Sequence, residues 1–212
     1  MKPFPVQLAG IFGLSTTMSH LEPRLAARSV RELWAIGCHP IDSVSALLRD
    51  KGFRVTEFRS DGYALAARIS VDQVGWPTLT VEAGARVSTC DYRMRLGHAL
   101  GHVVLHASHP TEREADKMED EADSFARDLL CPSGGVFSYG EAEVNLRELN
   151  RQSLVWGLPL SHLLYQVFDA CQTPPRDQVK VLERLDAARR RGLYTGDARI
   201  GRRESVVSQS GR

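Results

Sequence analysis

The chain lacks most of the features that assign a class at a glance. It has no apolar run long enough to span a bilayer. Its N-terminal stretch is broken by Pro3, Pro5, Gly10 and Gly13 and makes a poor signal peptide. Charge is nearly balanced, and a formal net charge of +1 removes any global electrostatic case for nucleic-acid binding. Cysteine is sparse: Cys38, Cys90, Cys131 and Cys171 include no C-x-x-C pair, so neither a zinc finger nor a thiol redox motif is available. The expectation is a reduced, cytoplasmic protein, with no membrane association, whose cysteines serve as small apolar residues. The 212 residues, 42% of them hydrophobic, can bury a core without disulfide or metal staples. Any metal site is therefore expected to be functional rather than a folding aid.

Periodicity divides the chain into four parts: an irregular lead over 1–20, a core domain over 21–135, a helical extension packed on that core over 136–175, and a basic helix with a disordered tail over 176–212. Apolar spacing predicts helices near 23–36, 41–51, 88–106, 112–130, 141–152, 160–171 and 176–191. Ser88 to Asp91 resembles a capping box that would open the third of these. Alternating stretches at 53–58, 63–69 and 78–82 predict three strands, with Asp61-Gly62 as a hairpin signal between the first two. The fold class expected is α+β, with a small, mostly antiparallel sheet.

The informative segment is Arg93-Met-Arg-Leu-Gly-His98-Ala99-Leu-Gly-His102-Val-Val-Leu-His106. Two histidines four residues apart on a helix lie ~40° apart around the axis and ~6 Å apart along it, so both imidazoles can reach one metal ion. H-E-x-x-H motifs hold zinc in this way, with the Glu as general base. A bare pair is a weak signal, and two part-buried histidines satisfied by neighbours are the commoner cause of it. Three features favour the metal. Unpaired imidazoles are costly in an apolar helix. Gly101, which costs the helix about 1 kcal/mol, leaves room beside the metal face. An acidic helix follows at a distance suited to a third ligand. His106 lies ~80° round from His98 and is less well aimed. A metzincin would need a histidine where Ser108 stands, and His109 is one position off. His20, His39 and His162 have no partners in sequence and are treated as ordinary.

The second helix reads Glu119-Asp-Glu121-Ala-Asp123-Ser-Phe125-Ala126-Arg-Asp-Leu129-Leu130-Cys-Pro132. Together the two segments resemble the ImmA/IrrE family of metallopeptidases. The first part of that family's pattern is matched by Arg93, Leu96, His98, Leu100, Gly101, His102, Leu105 and His106. The second is matched by Glu119, Glu121, Ala122, Asp123, Phe125, Ala126, Leu129, Leu130 and Pro132. The likeness covers about residues 25–135. It implies a zincin-like core in which the sheet packs on the motif helix and the acidic helix. It also implies a Zn2+ site of the gluzincin type, with His98, His102 and Glu121 as ligands and Glu119 as the alternative third ligand. Asp123 would accept the second ring proton of a histidine ligand or stand on a solvated face, and His106 would pack or support the site.

The departure is Ala99, which occupies the position of the family's catalytic Glu. That residue is not a metal ligand, so alanine should leave metal binding intact and remove the acid–base step, costing at least ~10²–10⁴-fold in rate. Either a Glu has been replaced to give an inactive mutant, or the protein is a natural pseudo-peptidase that binds zinc and a partner without cutting. With Glu at position 99, the resemblance implies a cytoplasmic, stress-response metalloendopeptidase cleaving a specific protein, for which a helix-turn-helix transcriptional repressor is the expected partner. Between residues 176 and 212, ten Lys and Arg face five Asp and Glu. A solvated tail accounts for this better than phosphate contacts, so nucleic acid is not an expected partner.

Overall fold

Helix α1 (Pro23–Leu33) begins with proline at its first position, where the missing N–H costs nothing, and buries Ala26, Ala27, Val30 and Arg31 along one stripe. The computed structural model describes residues 21–58, 67–71, 77–82, 89–106, 115–132 and 144–194. Among these lie seven helices and one three-stranded mixed sheet, an α+β arrangement. After α1 come α2 (Val44–Asp50), β1 (Arg54–Phe58), β2 (Ala67–Val71), β3 (Pro77–Glu82), α3 (Thr89–His106), α4 (Ala115–Leu130), α5 (Leu146–Trp156), α6 (Leu160–Ala170) and α7 (Pro175–Arg190). None of the described helices is long and apolar enough to cross a membrane.

The sheet differs from the mostly antiparallel one expected. Its order is β1-β3-β2: β1 pairs with β3 in parallel, and β2 pairs with β3 antiparallel. β1 and β2 are thus not hairpin partners, although Asp61-Gly62 stands between them; that dipeptide lies outside the described residues. A turn signal says where a chain reverses, not which strand it will join. β3 takes the centre because its alternation is the cleanest: Pro77, Leu79 and Val81 are buried while Thr78, Thr80 and Glu82 are part-exposed. Its proline sits at the first strand position, where a central strand tolerates it. Thr56 and Thr80 form a cross-strand hydroxyl pair at 2.8 Å.

Helix α3 packs against β2 and β3 on one side and against α4 on the other, and α4 also packs on α1. This explains why α3 is buried over most of its circumference, from Cys90 through Leu96 and Leu100 to Leu105. The α3–α4 seam is made of small residues. A Cβ on Gly97 would lie 3.1 Å from the Ala126 methyl, and one on Gly101 would lie 3.0 Å from both the Cα and the carbonyl oxygen of Ala122. Gly97 meets Ala126 and Gly101 meets Ala122, so the two helices run antiparallel. Gly101 therefore makes room for the backbone of α4, not for the metal face.

The apolar core continues past residue 135. Leu149, Leu163, Leu164, Phe168, Val181 and Leu185 belong to the same cluster as Leu79, Leu100 and Phe125. Helix α5 starts later than periodicity suggests because Asn145 caps it, accepting hydrogen bonds from the backbone N–H groups of Arg147 and Glu148. It ends at Gly157, whose φ of 62° is the left-handed conformation that glycine adopts freely. That turn is held by Arg93. The residue is 3% exposed, and its guanidinium donates to the carbonyls of Gly157 (3.1 Å), Ile41 (2.7 Å), Asp42 (3.2 Å) and Trp156 (3.4 Å). Arg31 does a similar task lower down, donating to the carbonyls of Gly37, His39 and Leu129. The lead over 1–20, the start of the capping box at Ser88, and the tail beyond 194 lie outside the described residues.

Candidate metal centre

The helical period places His98 and His102 on one edge of the α3–α4 seam, and Glu119 and Asp123, also four residues apart, on the facing edge of α4. Among the described residues, His98, His102 and Glu119 are the one group whose donor atoms lie within 4.8 Å of one another. The Nε2 atoms of His98 and His102 are 3.0 Å apart. Glu119 carboxylate oxygens stand 3.1 Å from Nε2 of His98 and 3.3 Å from Nε2 of His102. Glu119 is 62% exposed and the imidazoles about one-fifth exposed, so the cluster opens to solvent on one side.

The third member of the cluster, its one carboxylate, is thus Glu119, where the resemblance favoured Glu121. Two residues along a helix is a rotation of ~200°, so Glu121 projects nearly opposite to Glu119. Its carboxylate instead lies 2.9 Å from Nε2 of His106, in a contact where His106 is 3% exposed. Nδ1 of His106 is in turn 3.0 Å from Nδ1 of His102. Asp123 lies with Oδ1 2.7 Å from Nδ1 of His98, the place expected of a carboxylate that receives the second ring proton.

These neighbours pull the two histidines apart electrostatically. Burial alone would lower the pKa of His98, but the hydrogen bond and charge of Asp123, with Glu119 behind it, raise it above the ordinary 6.5. Burial, then the positive charge of His98, push His102 down to about 4. Asp123 feels burial first, which would raise it, yet the bond to His98 holds it below its usual value. One ring is thus poised to carry a proton and the other to stay neutral.

The donor set fits zinc. Ligand atoms about 2.0–2.1 Å from a tetrahedral ion are ~3.3 Å from one another. The observed separations of 3.0, 3.1 and 3.3 Å are close to the edges of such a tetrahedron. Three protein donors with an open side is the pattern of catalytic rather than structural sites.

Ala99, one residue past His98, is 1% exposed and part of the apolar core. His162, on α6, is a neighbour that sequence spacing does not reveal. Its pKa is lowered, by burial first, and it feels the charges of Asp123, Arg127, Asp91 and His98. Its buried Nδ1 has no hydrogen-bond partner among the described residues. Only the return of α6 against α4 brings it there. His39 lies away from the cluster and its carbonyl serves Arg31; His20, Ser108 and His109 lie outside the described residues. A cleft of about 320 Å³ lined by Arg49, Gly52, Phe53, Arg54 and Val55 shares no residue with the cluster. Comparison with protein-family models and with curated proteins finds no match to this chain.

Proposed function

We propose that His98, His102 and Glu119 bind one zinc ion, and that the chain is a metalloendopeptidase of the ImmA/IrrE kind whose acid–base residue is replaced by Ala99. The observation that carries this reading is the meeting of two Nε2 atoms and one carboxylate at tetrahedral-edge separations, with the far nitrogen of each ring already engaged. Bound there, zinc would polarise a peptide carbonyl and activate a water. Asp123 keeps the His98 proton on Nδ1 and its Nε2 directed at the cluster. Glu119 supplies the negative charge that offsets the cation. β2, an edge among the described strands, also packs on α3, so an extended substrate segment could add alongside it. A helix-turn-helix repressor as substrate rests on the resemblance alone.

Alanine has no proton to take or give, so the chain with Ala99 holds metal and cuts slowly or not at all. The deep burial of Ala99 favours a second reading: a zinc-containing module that binds its partner without cleaving it, since a carboxylate there would need a partner or a wet pocket. Metal analysis should give one zinc per chain, lost in His98→Ala and in Glu119→Ala. The Ala99→Glu variant, but not Ala99→Glu with His98→Ala, should create new peptide N-termini in extracts of the source cell. Zinc uptake without any new termini would sink the peptidase and leave the binding module; no zinc uptake would sink both.

A further inference from the structure

The described part of the molecule contains a three-member hydrogen-bonded chain that touches the proposed metal centre from behind: Glu121 Oε2 to His106 Nε2 at 2.9 Å, then His106 Nδ1 to His102 Nδ1 at 3.0 Å. Each link constrains the next. An ionised carboxylate only accepts, so the proton on His106 belongs on Nε2. In the neutral ring its Nδ1 is then bare and can only accept. A neutral His102 in line with this donates from Nδ1 and turns its Nε2 lone pair to the cluster, as a ligand must, while the Glu119 carboxylate 3.3 Å from that Nε2 competes for the same proton. The opposite assignment fails at once, because His106 bearing its proton on Nδ1 would present a bare Nε2 to a carboxylate, acceptor against acceptor.

We infer that Glu121, acting through His106, is a positioning residue that fixes the tautomer and ring orientation of His102, and so sets the metal affinity of a site it does not touch. This deepens the zinc reading and rests on it. The two histidines are braced differently: His98 directly by the part-exposed Asp123, His102 through a relay whose middle member is buried. Bracing partners of this sort are typically worth 10–100-fold in metal affinity.

The test uses the full chain, zinc as the probe, and two readouts. The first is the tautomer of His102 and His106 in the metal-free protein, from imidazole ¹⁵N chemical shifts. The second is zinc affinity, by competition with a chromophoric chelator, with circular dichroism confirming that each variant is folded. The parent should show His102 protonated on Nδ1 and His106 on Nε2. Glu121→Ala should mix the His102 tautomers and weaken zinc about 10–100-fold. Glu121→Gln, which keeps the volume and one acceptor, should recover part of that loss. Asp123→Asn should weaken zinc while leaving the His102 tautomer alone. His102 protonated on Nε2 in the parent overturns the inference, as does zinc affinity within about twofold of the parent in both Glu121 variants. A parent that takes up no zinc fails the metal reading separately, and the tautomer measurement still decides the relay.

Discussion

Nδ1 of His98 lies 2.7 Å from Oδ1 of Asp123, a bond that raises the pKa of the histidine and lowers that of the carboxylate at the same time. The sign of its pH dependence follows. His98, raised in the fold, contributes stability that is full below its unfolded value near 6.5 and is lost as pH rises through the higher folded value. Asp123, depressed in the fold, contributes stability above its unfolded 3.8 that is lost as pH falls through the lower folded value. In a chelator, the difference in melting temperature between parent and Asp123→Asn should therefore be widest in the acid range between the two and narrow toward alkaline pH. Zinc must displace the His98 proton, so measured zinc affinity should climb with pH over the range where the stability contribution fades.

The glycine seam predicts an order of damage. Gly101→Ala drives a methyl against the backbone of Ala122, whereas Gly97→Ala meets chiefly the methyl of Ala126. Helix propensity favours each change by about 1 kcal/mol. Overpacking opposes it by about 1–3 kcal/mol. The balance should be clearly unfavourable at Gly101 and near neutral at Gly97. Urea unfolding would measure both. Gly101→Ala should also weaken zinc, because any separation of α3 from α4 carries Glu119 away from the histidines. Equal effects at the two sites would refute the close-approach argument.

Arg93 joins α3 to the segment before α2 and to the α5–α6 turn through four backbone carbonyls. Arg93→Met keeps the apolar stem and strips the donors. Each carbonyl left buried without a partner costs about 1–3 kcal/mol, so a loss of roughly 3 kcal/mol or more is expected in denaturant titrations. Arg93→Lys should recover only part of it, because an ammonium cannot spread over four acceptors as the planar fork does.

The thiols should divide evenly. Cys38 and Cys171 are exposed thiols; Cys90 and Cys131 are buried thiols. Burial, then the charge of Asp128, push the Cys131 thiol far up, which deprives it of thiolate. A chromogenic disulfide reagent should titrate two thiols quickly in the native protein and four after unfolding. A fast third thiol under native conditions would contradict the packing around α3 and α4.

Much of this molecule is legible residue by residue. The spacing of His98 and His102 fixes their common face, because the α-helical period admits no other outcome once a helix forms. Asp123 could be named as a support for the same reason. The choice between Glu119 and Glu121 was harder, since the family-like pattern runs through both. The residues alone do show that the two carboxylates point opposite ways; what they do not show is which way α4 faces α3.

The chain by itself therefore determined the helices and the paired imidazoles, with alanine next to the first of them at position 99. These rest on local period and residue chemistry, which need no partner element. The tertiary structure decided which carboxylate meets the histidines, that Gly101 serves helix contact, that β3 lies between β1 and β2, and that His106 and Glu121 stand behind His102. It also brought His162 to the rim of the site from α6. Such relations depend on the approach and rotation of whole elements, and these are set by burial summed over the core, not by any one stretch of sequence.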